Sequence, residues 1–189
     1  MSASLAPTAR PTNCKRENLC VLGEGERMYE KWLEHILQSP RGLGRVEMIV
    51  RRPEVDVREV LQRGEFCLQE GLRGDNWSRR PSSRTPDRSP HPDMQLNLMN
   101  ARVLASLCAD RAGWQWAGDQ LIVDLHLSEE HLPVGARLAL GTAVIEVTEQ
   151  PHTGCKKFAQ RFGLEAHKFV NAAEYRHLKL RGLNARVLQ

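Results

Sequence analysis

The chain has 189 residues, 41% of them hydrophobic and 5% aromatic, with a formal net charge of +4. That length suits one ordinary domain plus an appendage, with a core that needs no disulfide staples; the mild basicity favours an anionic ligand but is too small to argue for nucleic acid. The five cysteines, at 14, 20, 67, 108 and 155, lack zinc-ribbon spacing, residues 1–20 carry no apolar signal segment and no run is long enough to span a bilayer, so a reducing cytoplasm is expected.

Residues 1–20 mix Ser, Thr, Pro and charge without periodicity and read as a mobile tail. From Glu24 to Gln38, Met28, Trp32, Leu33, Ile36 and Leu37 make a helical stripe closed by Pro40 and Gly42. Residues 1–42 are therefore taken as a flexible tail and an amphipathic helix, which either covers core surface or meets a partner. Val46, Met48 and Val50 alternate with charged neighbours in a strand that Pro53 ends. Asp56 is placed to cap a short helix through Val57, Val60 and Leu61, and Gly74 to turn the chain at Gly74-Asp75-Asn76-Trp77. Residues 78–93 hold four prolines and four arginines with almost no apolar side chains, the composition of a long surface loop.

Met94 to Met99 reads as a strand, Asn100 as an N-cap and Ala101 to Ala109 as a helix with Val103, Leu104 and Leu107 inward and Cys108 in the core. Leu121 to Leu127 is a strongly apolar strand; a turn of helix at Ser128 to Leu132 and a turn at Pro133-Val134-Gly135 lead to a strand around Leu138 to Leu140. Thr142 to Thr148 alternates, with Ala143, Ile145 and Val147 on one face, until Pro151 stops it. His152, Thr153 and Gly154 form a turn. Lys156 to Phe162 then sets Phe158 and Phe162 on one helical face, with Gly163 as the stop. A helical stretch from Leu164 to Leu180, broken near Asn171, and a strand at Asn184 to Leu188 complete the pattern, a β-rich α+β domain over residues 43–189.

Cys155 stands out. A helix N-terminus, Lys156, Lys157 and His152 would all favour thiolate over thiol, the state of a cysteine that attacks, carries sulfur or binds a soft metal. The competing reading is a buried structural thiol. Other motifs fall away: His126 and His131 lie five apart with no helical His pair for zinc, Gly23-Glu24-Gly25 stops short of a phosphate-cradling glycine loop, and no lysine sits in a pyridoxal-phosphate motif.

The run TAVIEVTEQPHTGCKKFAQRFG at 142–163 resembles the MOSC domain, named after the C-terminal region of molybdenum-cofactor sulfurases. GLRGDNW at 71–77, QLNLMNARV at 95–103, AGDQLIVDLHLSEEHLPVGARLALG at 117–141 and KLRGLNARV at 179–187 are similar, in order, to the blocks of small stand-alone bacterial members. The resemblance implies a closed, mostly antiparallel β-barrel with short helices and the cysteine loop at its rim; relatives usually continue with one more Gly-Asp-containing strand, which this chain lacks. It implies that Cys155 ligates the molybdenum of a molybdopterin cofactor in the reduction of N-hydroxylated compounds, or that Cys155 carries a persulfide received from a cysteine desulfurase. Asp75, Asn100, His152, Thr153 and Arg181 are the cofactor-binding candidates, with Arg181 expected at the phosphate and Arg79, Arg80, Arg84 and Arg88 of the loop as further grips. The implied partners are a desulfurase or a redox protein and a small-molecule substrate, with neither nucleic acid nor membrane.

Overall fold

The computed structural model describes residues 24–189; the tail expected over residues 1–20, with Cys14 and Cys20, lies outside the described residues. Helices α1 (Glu24–Leu37), α2 (Ala101–Leu107), α3 (Lys156–Phe162) and α4 (Leu164–Asn171) accompany strands β1 (Arg45–Arg51), β2 (Glu59–Leu61), β3 (Phe66–Cys67), β4 (Gly71–Leu72), β5 (Leu96–Asn100), β6 (Leu121–Asp124), β7 (Arg137–Leu140), β8 (Ala143–Val147) and β9 (Leu183–Val187). Seven strands form one curled mixed sheet in the order β2-β1-β6-β5-β9-β8-β7, and β3 pairs with β4 separately.

The sheet is open, which corrects the closed barrel the resemblance implied. Its edges are the three-residue β2 and the four-residue β7, which do not pair with each other. It is also mixed: β5 and β6 run parallel, because α2 and the 3-10 helix Arg111–Ala117 cross over between them and return the chain in its original direction. The helix expected after Asp56 is also corrected. Val60 and Leu61 pair with Val50 and Ile49 of β1, the placement that suits β-branched side chains, while Asp56 turns the chain with a φ of 61°.

Strand periodicity divides the core in two. Leu96 and Leu98 of β5, Leu121 and Val123 of β6, Ile145 and Val147 of β8, and Leu183, Ala185 and Val187 of β9 fill one face of the sheet. The intervening Met99 and Ile122, with Met48 and Val50 of β1, meet the helices on the other face. There Phe169 of α4 is fully buried against Tyr29 and Trp32 of α1, at ring-centroid distances of 4.8 and 5.1 Å. Burying an aromatic ring of this size contributes about 2 kcal/mol or more, so α1 is held to the core by its aromatic stripe. Among the described residues no helix is long and apolar enough to cross a membrane.

Candidate functional site

The site begins where β8 ends. Thr148 N donates to Asn184 O of β9 at 3.0 Å and its hydroxyl to Asp93 O at 2.6 Å, fastening the strand end to the arginine-bearing loop. Further along the chain, Gly154 N donates to Asn171 Oδ1 at 2.9 Å and Gly154 O lies 2.9 Å from His167 Nε2, both partners on α4. A Cβ at Gly154 would stand 2.6 Å from Asn171 Nδ2, so a larger residue would have to displace the Asn171 side chain that holds the turn to the helix. The turn delivers Cys155 as the N-cap of α3 in extended conformation, its carbonyl accepting from Ala159 N at 3.1 Å. The thiol caps nothing, and Cys155 is exposed.

Cys155 opens onto a cleft of about 400 Å³ whose walls are markedly cationic. Arg52, Arg58, Arg80, Arg84, Lys157, Arg161 and Arg181 line it, against the carboxylates of Glu54 and Asp56. Two of the arginines are buried and built in. Arg52 makes a bidentate pair with Asp75 at 2.9 Å on both sides and donates to Asn97 Oδ1 and Gly118 O. Arg181 donates from Nη1 to both oxygens of Asp119 at 2.9 and 3.0 Å and from Nη2 to Ala117 O, and its guanidinium lies 4.8 Å from the Phe158 ring. Arg181 is aimed by Gly182, whose φ of 108° and close approach to Leu98 O leave no space for a side chain.

Of the remaining cations, Arg161 and Lys157 share the Asp56 carboxylate at 2.6 and 3.5 Å, whereas Arg58 is short of partners. Burial first, then Arg161 and Arg52, bring the Arg58 guanidinium down to about 10, and burial with Arg52 also lowers Arg80. Buried Nε atoms of Arg58 and Arg181 have no hydrogen-bond partner. Arg58 and Arg161 both lie 5.6 Å from the Trp116 ring, so two like charges share one aromatic surface. Fixed positive charge that is partly desolvated and incompletely paired is an arrangement that an anion stabilises.

His152 completes the wall. Its Nε2 lies 2.7 Å from Asp119 Oδ1. Burial alone would raise the Asp119 carboxyl, but Arg181 and His152 outweigh it and hold it at about 2. Burial and Arg181 lower His152, with Asp119 opposing.

No family model matches the sequence, and no curated protein does. Similar solved structures include one described as a hypothetical protein and YiiM from Escherichia coli, with 20% and 21% sequence identity, TM-scores of 0.48 and 0.46, and 76% of this chain covered in each case. The chain spans about three-fifths of the length of these structures, 61% and 62%.

Of the residues singled out in the sequence, Cys155, His152, Thr153 and Arg181 converge on the cleft. Asp75 does not line it; with 3% of its surface exposed it stands behind Arg52 as its counter-ion and also accepts from Trp77 N. Asn100 lies away from the cleft, where it caps α2 through Arg102 N and donates to Ser39 Oγ and Leu125 O. Arg80 and Arg84 of the loop reach the cleft, Arg84 donating to Gln150, whereas Arg79 turns to Pro53 O and Glu54. Sequence reasoning missed Arg52, Arg58, Arg161 and Asp119. Asp119 sat inside the matched block at 117–141, a signal that was there to read; the three arginines follow ordinary amphipathic patterns and carry none.

Proposed function

We propose that this chain is a MOSC-type protein whose cleft seats an anionic pterin cofactor, with the Cys155 thiolate as ligand to its molybdenum, and that it serves the reduction of N-hydroxylated compounds. One observation carries the reading: the exposed Cys155 thiol opens onto the same cleft as a set of arginines with too few counter-ions. The donor set fits such a group. Cys155 is the one thiol among the described residues that line the cleft, and no group of three His, Cys, Asp or Glu able to hold a metal ion occurs among the described residues, so a metal held here suits a cofactor that brings its own ligands. Arg58 and Arg80, with the charge of Arg181 in the same wall, would take its phosphate, and the half-buried Trp77 and Met94 would give its planar part an apolar wall. When bound, the molybdenum supplies two-electron redox chemistry; the protein's own residues neutralise the phosphate, hold the metal end at Cys155 and narrow access for water.

The test is metal content. In protein from a host that makes the cofactor, wild type carries molybdenum and Cys155→Ser does not. Equal content in both would remove Cys155 from ligation.

A second reading, persulfide carriage, draws on the exposure of Cys155 at the cleft, where the persulfide of a partner protein could reach it. Wild type that holds no molybdenum but gains a persulfide on Cys155 from a cysteine desulfurase and cysteine would select this reading.

A further inference from the structure

The cleft wall consists chiefly of hydrogen-bond donors, and His152 departs from that pattern. Asp119 has no exposed surface and is ionised, so its oxygens only accept; the 2.7 Å contact therefore places the hydrogen on His152 Nε2. Burial and Arg181 favour the neutral ring, in which Nδ1 keeps a bare lone pair. The Cδ2 edge of the ring packs against Gly182, 3.2 Å from where a Cβ would stand, which leaves Nδ1 on the opposite edge of a side chain that lines the cleft. Nδ1 makes no hydrogen bond to any described residue.

The carboxylate that orients His152 also orients Arg181, whose Nη1 it accepts twice and whose buried Nε stays unpaired. Asp119 thus holds an unpaired acceptor at the edge of a cleft lined by the donors of Arg58 and Arg80. A ligand that satisfies both must accept a hydrogen bond and give one.

We infer that His152 Nδ1, set among these donors, reads a protonated oxyanion, a hydrogenphosphate group, and that His152 makes the cleft prefer phosphate to sulfate. Hydrogenphosphate offers an O–H to Nδ1 and its other oxygens to the arginines of the cleft. Sulfate at the same pH has acceptors only, so one of its oxygens would face the Nδ1 lone pair and leave that acceptor unsatisfied. The inference rests on the proposed anion-binding role of the cleft and adds the protonation state of the group it takes.

The test is titration calorimetry with inorganic phosphate, methyl phosphate and sulfate at about pH 6.5, where inorganic phosphate always keeps a proton and part of the methyl phosphate does. Wild type should bind inorganic phosphate about tenfold or more tighter than sulfate. His152→Phe, in which Asp119 keeps both bonds from Arg181, should lose that preference through weaker phosphate binding alone. Methyl phosphate binding as well as inorganic phosphate would identify the terminal group of a larger ligand; binding of inorganic phosphate alone would identify the free ion. Should His152→Phe fail to fold, the wild-type preference and the ring tautomer from long-range 1H–15N correlation decide. Equal affinity of wild type for phosphate and sulfate, or a hydrogen on Nδ1, overturns the inference while the anion-site reading stands. Binding of none of the probes overturns both.

Discussion

Arg52 and Asp75 lie back to back with the cleft: the carboxylate grips the guanidinium bidentately from the protein side, with side chains 5% and 0% exposed, while Arg52 faces the ligand space. Asp75 therefore acts on the cleft through Arg52. Removing one partner of a buried pair strands the other charge. Asp75→Ala should cost about 3–5 kcal/mol in urea denaturation. Removing Glu130, which pairs with Arg41 on the exposed surface, should cost no more than about 1 kcal/mol. A cost for Asp75→Ala as small as that of Glu130→Ala would contradict the buried pair.

Two glycines of similar backbone conformation separate space from strain. Gly135 has a φ of 85° and nothing within 4 Å of where a Cβ would stand, whereas at Gly182 a Cβ would collide with Leu98 O. Gly135→Ala should cost about 1 kcal/mol for the backbone conformation alone. Gly182→Ala should cost several times more, and it should weaken anion binding because Arg181 and His152 both move. Equal stability losses in thermal melts would show that β9 yields where the structure has it fixed.

Acid should destabilise the protein in two stages of the same sign. His152 is lowered from 6.5, so as pH falls below that value the unfolded chain takes its proton before the folded protein does, and stability is lost. Asp119 lies at about 2 against 3.8, so its contribution is present above 3.8 and is lost as pH falls toward 2. His126, lowered by burial and Arg41, adds to the first stage, and the difference between wild type and His152→Phe isolates His152. Melting temperatures across about pH 7 to 5 should fall less in His152→Phe than in wild type; parallel curves would mean that His152 titrates normally.

Local signals in the sequence served the fold well. The alternation of Ala143, Ile145 and Val147 became β8, the Phe158 and Phe162 pair became the buried face of α3, Asn100 capped α2, and the helix after Gly163 broke at Asn171. Long-range pairing was not legible. Whether β2 meets β7 depends on curl and strand length summed over the whole sheet, and the parallel β5 and β6 pair depends on a crossover whose 3-10 helix has no strong period. The stretch after Asp56 misled because Val57, Val60 and Leu61 fit a helical stripe as well as a short edge strand, and pairing with β1 decided between them. At the site, the turn bearing Cys155 was visible from Pro151 and Gly154. The role of Asp75 was not, since nothing in a local motif says whether a carboxylate faces a ligand or the arginine that does.

The central claim is that Cys155 and the arginines serve one ligand space, and protection of the thiol tests it most directly. Iodoacetamide labelling of Cys155 should slow as pyrophosphate is added, with Cys67 as the internal control and sodium chloride at matched ionic strength as the reference, and Arg58→Ala should require more pyrophosphate for the same effect. Labelling of Cys155 that does not change with pyrophosphate, at concentrations where calorimetry shows the anion bound, would contradict the account.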